Sequence, residues 1–342
     1  MKHESISRRQ FLLTGAAGII LAGTGCASLK RSGYPFHPLP YSAQLRIEHP
    51  SKLRILQLTD VHWGADKDPL EKLTNKRTAA IIADIMAQAK ADLIIVTGDS
   101  WSGNRKPGGE ERMAEVVAKY AALGMPWAYA WGNHDQLIDN NAGHKALTEA
   151  KNSLYRGAAT GGNYVIDVAG PRGNRVCQLV CLNSEVEGLS ATQQAWMNTL
   201  AEDTAKTGDQ QPLRFTFFHI PIKQYVDIWD SGVASGIKGE KQCIESEDGS
   251  SLAFLKMLGV RACFCGHDHV NNYSGKIDGV DLVYGRATGV GSYGGDRVSK
   301  GGTLITINCR TGHYDWAALI PGKPKWKPRH GEQITIPEPK KH

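Results

Sequence analysis

The chain has 342 residues, of which 41% are apolar and 22% are charged. These fractions are typical of a globular protein and exclude a disordered, collagen-like or disulfide-dependent miniprotein. The net charge of +6 comes from the ends of the chain, because residues 1–25 carry +2 and residues 321–342 carry +4, so no basic nucleic-acid groove is expected in the body.

The first 25 residues have the pattern of an export signal. Arg8 and Arg9 precede Phe11 and Leu12, and a Gly- and Ala-rich apolar run follows as far as Gly25. This arrangement resembles the twin-arginine signal, which an export machinery reads on folded proteins. We therefore expect the protein to engage that machinery and to reside in the periplasm or the cell envelope.

A short segment of different composition follows the signal. Small residues precede Cys26 in a pattern similar to a lipoprotein cleavage box, so lipidation of Cys26 with membrane anchoring and plain cleavage nearby are both open. Residues 26–50, in which Pro and Tyr are frequent, are interpreted as a tether.

Residues 51–320 alternate strands and helices and are predicted to form one α/β domain. The predicted strands are Leu53–Thr59, Asp92–Thr97, Pro126–Trp131, Asn163–Val168, Val176–Leu182, Arg214–Phe218, Val260–Cys265, Tyr273–Ile277, Val280–Tyr284 and Thr303–Cys309. The predicted helices are Asn75–Lys90, Glu111–Leu123, one that begins at the capping box of Ser190, and Ser250–Leu258. The βαβαβ order of the first half implies a parallel sheet with helices on its faces. The Pro- and Lys-rich residues 321–342 are predicted to be extended and poorly packed.

Polar residues follow the ends of five predicted strands. They are Asp60, His62, Asp99, Asn133, His134, His219, His267 and His269. The carboxyl ends of strands in an open α/β sheet form the edge where ligands bind, so we expect these residues to converge. All of them except His134 are counted as ligands, and seven ligands suit two metal ions that share a carboxylate better than one tetrahedral zinc. Water held between two such ions would be largely hydroxide near neutral pH and would act as the nucleophile of an in-line displacement.

The order of these motifs resembles that of the calcineurin-like metallophosphoesterases. The matching pieces are Asp60-Val-His62, Gly98-Asp99, Gly132-Asn133-His134-Asp135, His219 and Gly266-His267-Asp268-His269, within about residues 53–310. The resemblance implies a four-layer αββα sandwich, in which two mixed sheets are flanked by helices. It also implies hydrolysis of phosphoric esters.

The resemblance further implies a role for each site residue. The first metal would be held by Asp60, His62 and His269, the second by Asn133, His219 and His267, and both by Asp99. His134 would stay off the metals, where it would bind phosphate or protonate the leaving oxygen as a general acid. Asp135 is a candidate to orient His134, although the spacing alone does not decide this.

The surrounding motifs narrow the resemblance to one branch. Phe217-Phe218-His219-Ile220-Pro221 and Leu282-Val283-Tyr284-Gly285 are similar to segments of purple-acid-phosphatase-29-like proteins. The chain departs from true purple acid phosphatases at His62, where they have Gly, and at Ser102, where they have an iron-binding Tyr. Iron, manganese and zinc therefore all remain as candidate metals.

Residues near the metal loops are weaker candidates for substrate contact. Arg105 and Arg286 are either phosphate clamps or solvated surface arginines. Arg286 belongs to the Gly-rich segment Gly285–Gly295, where a loop after a strand can approach a substrate. Lys238 belongs to the polar insertion Ser231–Gly249, which is interpreted as a lid or rim. Three tryptophans either wall the pocket or pack in the core: Trp63, Trp101 and Trp131.

The other histidines and the paired cysteines are predicted to be structural. The histidines outside the motifs are His37, His49, His144, His313 and His330. Cys177 with Cys181, and Cys263 with Cys265, have the even spacing of residues on one face of a strand, and small buried apolar side chains explain them better than a zinc framework. Their disulfide state is open.

Together these features predict an exported binuclear metallohydrolase that acts on phosphomonoesters. The alternative is a phosphodiesterase that acts on nucleotide or phospholipid-type diesters, which would need room for two organic groups. A non-catalytic binding protein on the same fold would be expected to lose ligands, whereas here every ligand position and His134 are intact.

Overall fold

The structure is a computed structural model that describes residues 38–101, 105–207, 211–295 and 297–337. Several predicted features lie outside the described residues: the export signal, Ser102, and the part of the tether before residue 38, with Cys26 and His37. Within the described residues, no helix is both long enough and apolar enough to cross a membrane.

Fourteen strands and six α-helices are described. The strands are β1 (Ser42–Arg46), β2 (Leu53–Leu58), β3 (Leu93–Thr97), β4 (Trp127–Ala130), β5 (Tyr164–Ala169), β6 (Arg175–Cys181), β7 (Arg214–Phe217), β8 (Ser235–Lys238), β9 (Val260–Cys265), β10 (Asn272–Ile277), β11 (Val280–Tyr284), β12 (Gly302–Ile307), β13 (Tyr314–Leu319) and β14 (Gln333–Thr335). The helices are α1 (Pro69–Ala89), α2 (Gly109–Ala121), α3 (Asn140–Glu149), α4 (Ala191–Lys206), α5 (Gln224–Asp230) and α6 (Ser251–Met257).

The first sheet contains five strands in the order β13-β12-β2-β3-β4. β2, β3 and β4 are parallel, as the βαβαβ order of the sequence predicts, and β12 pairs antiparallel with β2. β3 is buried at all five positions because both of its faces are covered, which explains its apolar run from Leu93 to Val96. The three parallel strands therefore end at one edge, where Asp60, Asp99 and Asn133 follow them.

The second sheet contains nine strands in the order β1-β5-β6-β7-β9-β11-β10-β8-β14. Its two faces belong to different cores: Ile166 and Val168 pack into the core that also contains residues of the five-stranded sheet, whereas Val165 packs with residues of α4 and α5. This alternation follows from the two-residue period of a strand. α1 packs against β2, β12 and β13, on the five-stranded sheet. The predicted fold, two mixed sheets flanked by helices, is confirmed.

The interpretation of residues 26–50 as a tether is wrong for its second half. Residues 42–46 form β1, which pairs in parallel with β5 at the edge of the nine-stranded sheet. Ala43, Leu45 and Ile47 are buried in the core between the sheets, while Gln44 and Arg46 are exposed. This two-residue alternation is present in the sequence, and it distinguishes a half-buried strand from a tether.

The prediction of a poorly packed C-terminal tail is wrong only in part, because most of residues 321–337 are exposed but two short segments of the tail pair with the sheets. Trp326 forms a bridge with Ala318 of β13 and packs against the core between the sheets. Residues 333–335 form β14, which pairs in parallel with β8. β8 itself lies inside the predicted insertion Ser231–Gly249, so that insertion is partly a strand of the sheet.

Candidate metal centre

The seven predicted ligands come together at the edge where strands of both sheets end. Asp60 and His62 follow β2, Asp99 follows β3, and Asn133 begins a short 3₁₀ turn after β4. From the nine-stranded sheet, His219 follows β7, and His267 and His269 follow β9. The site is therefore built from both layers of the sandwich.

The first group of ligands consists of Asp60, His62, Asp99 and His269, whose ligand atoms all lie within 4.8 Å of one another. His269 Nε2 is 3.3 Å from Asp60 Oδ1 and 3.2 Å from His62 Nε2. All four side chains are buried or nearly so. Two carboxylates and two imidazoles at this spacing form a compact oxygen and nitrogen donor set for one metal ion.

The second group consists of Asp99, His219 and His267, with the same spacing between ligand atoms. His219 Nε2 is 3.1 Å from Asp99 Oδ2 and 3.2 Å from His267 Nδ1. Asn133 adds an amide oxygen, Oδ1, which is 3.0 Å from His219 Nε2. Asp99 belongs to both groups, so the arrangement fits two metal ions that share one carboxylate.

Each of the two carboxylates has one oxygen fixed by protein donors. Asp60 Oδ2 accepts hydrogen bonds from the hydroxyl of Thr59 and the backbone N–H of His267, whereas Asp60 Oδ1 is buried and accepts none. Asp99 Oδ1 accepts the backbone N–H of His134, while Oδ2 faces His219 and His62. A buried carboxylate oxygen without a donor is costly, and a cation at that position would satisfy it.

The charges of the site interact strongly when no metal is bound. Burial alone would raise the pKa of Asp60, but His269 and the other histidines hold that pKa well below its ordinary value. Burial opposes a proton on His219, yet Asp99 and Asp60 raise the pKa of His219 to about 10. The pKa of His62 and that of His267 are each lowered to about 4, mainly by burial. His62 and His267 are therefore neutral at pH 7, which is the form that binds metals.

The ligand loops have an unusual backbone. Asp60, His62, Asp99 and His267 all have positive φ, between 45° and 80°. Such residues cost about 1–3 kcal/mol each and are concentrated at functional sites. Glycines allow the loops to approach closely, because a Cβ on Gly132 would lie 2.3 Å from Asp99 Oδ1 and one on Gly266 would lie 1.9 Å from Thr59 Oγ1.

His134 lies beside the two groups but belongs to neither of them. Its Nε2 is 4.0 Å from Asp99 Oδ2, and its side chain is 41% exposed, in contrast to the buried ligands. Asp135 does not hold the His134 ring in hydrogen bonds that the structure describes. Its carboxylate instead accepts the backbone N–H groups of Asp99, Ser100 and Gly132, and so ties the loop after β3 to the loop after β4.

A pocket of about 340 Å³ opens over the ligands. Its lining consists of His62, Asp99, His134, Cys243, His267, Asp268, His269, Gly291, Ser292 and Tyr293. Asp268 holds the Cys243 segment, because its carboxylate accepts the N–H of Cys243 and the hydroxyl of Tyr284. Within the described part of the chain, the lining includes no lysine or arginine.

The two arginines predicted as phosphate clamps do not line this pocket. Arg286 is neither in the pocket nor on the surface: it is 3% exposed, its guanidinium donates to the carbonyl of Ser299, and it lies 5.0 Å from the centre of the Trp326 ring. Arg105 is exposed, and its backbone N–H donates to the carbonyl of Gln136. Lys238 lies over the ring of Trp229. The three tryptophans offered as pocket walls are buried in the core: Trp63, Trp101 and Trp131.

Sequence reasoning did not identify Cys243, Ser292 and Tyr293 as residues of the pocket. The sequence did indicate their segments, because the insertion Ser231–Gly249 was predicted as a rim and the Gly-rich segment Gly285–Gly295 as a loop near the substrate. Within the second segment the prediction selected Arg286 for its charge, whereas Tyr293 is the residue that lines the pocket. The four cysteines paired by spacing are buried and free. The thiol of one of them, Cys177, lies 3.5 Å from the thiol of Cys309, which is also buried and free.

Comparison with known proteins agrees with this site. A family model for calcineurin-like phosphoesterases matches residues 53–271, and the chain belongs to that family. It is 26% identical to the probable inactive purple acid phosphatase 28 of Arabidopsis thaliana, over 80% of each chain. It is 25% identical to the probable inactive purple acid phosphatase 29 of the same plant, over 96% of this chain and 94% of that one. A crystal structure of a dimetal phosphatase from Danio rerio is 13% identical, with a TM-score of 0.47, over 75% of this chain and 94% of that one.

Proposed function

We propose that this metal-dependent phosphoesterase hydrolyses phosphomonoesters. The observation that carries the proposal is the pair of ligand groups joined by Asp99, with His134 exposed beside them and outside both. Two metal ions held there would supply Lewis acidity and an activated nucleophile for in-line displacement at phosphorus. Because the ligands are imidazoles, carboxylates and one amide, we propose iron, manganese or zinc as the metals.

The residues around the ligands would complete the reaction. His134 projects into the pocket, so its ring would bind a phosphate oxygen and protonate the leaving oxygen as a general acid. Asp135 would hold Asp99 in place through the backbone, because it binds the N–H groups of Asp99 and Ser100. The buried surroundings of Asp99 and Asp60 would strengthen every charge interaction with the substrate.

The relatives support a phosphatase, although their names carry the word inactive. Both plant relatives are named as purple acid phosphatases. This chain has a complete donor set at the site, and that set supports an active enzyme.

Diesters are the second candidate substrates, and one observation favours them. A monoester carries an additional negative charge, which a basic clamp would neutralise, yet the described lining of the pocket has no lysine or arginine. The Nζ of Lys300 lies behind the pocket wall, where it donates to Ser292 Oγ and to the carbonyl of Tyr293.

The test compares the two ester classes on one protein. Metal-free protein is reconstituted separately with manganese, iron and zinc, and kcat/KM is measured for p-nitrophenyl phosphate and bis(p-nitrophenyl) phosphate. Preference for the monoester supports the proposal, and preference for the diester replaces it with the second candidate. Hydrolysis of neither ester with any metal would contradict both.

We also propose that the protein is exported by the twin-arginine machinery and resides in the periplasm or envelope. Support comes from Arg8 and Arg9 and the apolar run after them. Replacing both with lysine should retain the protein in the cytoplasm, as measured by cell fractionation. Cys26→Ser should move the protein from the membrane to the soluble fraction if Cys26 is lipidated, and should leave its fraction unchanged if the signal is cleaved without lipidation.

A further inference from the structure

Tyr293 is an exposed aromatic side chain on the wall of the metal pocket. It lines the pocket with 52% of its surface exposed, and it is the one exposed aromatic side chain of the chain's described residues. Ligand pockets are lined mainly by apolar and aromatic side chains, because binding of the ligand removes them from water.

The backbone on the N-terminal side of Tyr293 is fixed to the metal loop. The N–H of Gly289 donates to the carbonyl of Asp60, and a Cβ on Gly289 would lie 1.7 Å from the carbonyl oxygen of Val61. A Cβ on Gly291 would lie 2.7 Å from the carbonyl oxygen of His62. Residues 289–291 can therefore pack backbone against backbone on the segment that supplies Asp60 and His62.

The C-terminal side of Tyr293 is held as well. Lys300 donates to the carbonyl of Tyr293 and to Ser292 Oγ, and Ser292 Oγ donates to the carbonyl of Gly289. The ring is thus placed beside the metal ligands before any substrate arrives, which reduces the entropic cost of binding.

The ring of Tyr293 contacts a candidate metal ligand directly. The Tyr293 ring stacks on the imidazole of His269, with centres 3.8 Å apart and planes inclined by 21°. His269 covers one face of the ring, so the exposed surface includes the other face. Because Tyr293 and the ligands line the same pocket, an ester whose phosphate lies at the ligands could place its organic group against that face.

We propose that Tyr293 binds a planar aromatic group of the substrate by stacking, so that the enzyme prefers phosphate esters in which such a group is close to the phosphate. This inference rests on the proposed function and names its substrate class. Two kinds of compound share this chemistry, aryl phosphates and nucleoside phosphates. A stacked aromatic pair gives a preference on the order of tenfold over an alkyl group.

The experiment measures binding without turnover. Isothermal titration calorimetry with the metal-loaded protein gives the Kd of methylphosphonate, phenylphosphonate and a nucleoside 5′-phosphonate, none of which has a P–O ester bond to cleave. The variants are Tyr293→Phe, which keeps the ring, and Tyr293→Leu, which keeps apolar bulk against His269 without stacking. Metal content of each protein is measured in parallel.

We expect at least one aromatic phosphonate to bind the wild-type protein roughly tenfold more tightly than methylphosphonate. Tyr293→Phe should keep this preference, and Tyr293→Leu should remove it while its Kd for methylphosphonate and its metal content stay unchanged. If phenylphosphonate binds more tightly, the substrates are aryl phosphates. If the nucleoside 5′-phosphonate binds more tightly, they are nucleoside phosphates.

The proposal is overturned if the wild type shows no aromatic preference or if Tyr293→Leu keeps it. It is also overturned if Tyr293→Leu loses metal and methylphosphonate binding, because the ring would then serve only to position His269. An aromatic preference in binding, with no ester hydrolysed, would contradict the proposed function and leave this inference standing.

Discussion

At the scale of single residues, two histidines of the metal centre are close in space but differ in their surroundings. The side chain of His267 is only 10% exposed and has its Nδ1 next to His219, whereas that of His134 is 41% exposed and belongs to neither ligand group. Removal of a ligand should affect the metals, and removal of a proton donor should affect only the rate.

We therefore expect His134→Ala to keep both metal ions and to lose rate by roughly 10²–10⁴-fold, the usual contribution of general acid catalysis. His267→Ala should lose metal and activity together. Elemental analysis and kcat on the same samples test both statements. Full turnover in His134→Ala would remove the proposed role of that side chain.

Asp268 lies between His267 and His269 in the sequence, but its hydrogen-bond partners are outside the metal centre. It is buried, and its carboxylate accepts the hydroxyl of Tyr284 at 2.5 Å. Burial raises the pKa of Asp268 to about 8. Between about pH 4 and pH 8 the folded protein thus keeps a proton that the unfolded chain has lost.

This proton makes stability fall as the pH rises. The contribution is complete below about pH 4 and is lost by about pH 8, with a slope of about 1.4 kcal/mol per pH unit in the metal-free protein. Asp268→Asn should lower the pH slope of the free energy of unfolding by that amount, as measured by urea unfolding at several pH values. Asp230→Asn, at an exposed position, is the matched control. An unchanged slope in Asp268→Asn would show that Asp268 ionises normally.

At the scale of elements, the C-terminal segment covers a buried cation. Trp326 exchanges two backbone hydrogen bonds with Ala318, and its ring lies over the guanidinium of Arg286, whose Nε is buried without a partner. Removal of the Trp326 ring would expose the Arg286 guanidinium to water and leave a gap beside the core.

Trp326→Ala should lower the free energy of unfolding by about 2 kcal/mol, from lost packing and lost cation–π contact. Lys325→Ala, one residue earlier and exposed, should have little effect. Urea unfolding of both variants measures the difference. Equal stability of the two variants would mean that the Trp326 ring contributes nothing to the stability of the fold.

The elements also show where sequence reasoning succeeds and where it stops. The strands that precede the ligands could be predicted because β3 is apolar from Leu93 to Val96 and each strand ends at a polar motif. β1 was missed although its residues alternate, because the frequent Pro and Tyr of its segment favour the interpretation as a tether. β14 was missed because a short edge strand in a Lys-rich segment has a weak local signal and depends on a distant partner strand. Arg286 was misplaced for a similar reason, because only the tertiary structure brings Trp326 over it. The convergence of the seven candidate ligands was predictable, because their motifs follow strand ends in a recognisable order.

At the scale of the whole molecule, the metal centre joins the two sheets. Asp60, His62, Asp99 and Asn133 extend from the five-stranded sheet, while His219, His267 and His269 extend from the nine-stranded sheet. Each ligand group contains residues from both sheets, so a bound ion would cross-link the two layers at that edge. Without metal, the buried carboxylates at this edge are balanced only by protons on neighbouring histidines, such as His219 beside Asp99.

Metal binding should therefore stabilise the sandwich as a whole. An ion that binds only the folded state contributes about 2.7 kcal/mol at a free concentration of 100 times its Kd, which for a domain of this size corresponds to a Tm increase of about 5 °C. Differential scanning calorimetry with and without a chelator should show this increase in the wild type and in His134→Ala, which keeps every ligand. His267→Ala should show a smaller increase, because it retains fewer ligands in the second group. If the chelator leaves the Tm of the wild type unchanged, the ligands at this edge do not hold the two sheets together through a metal.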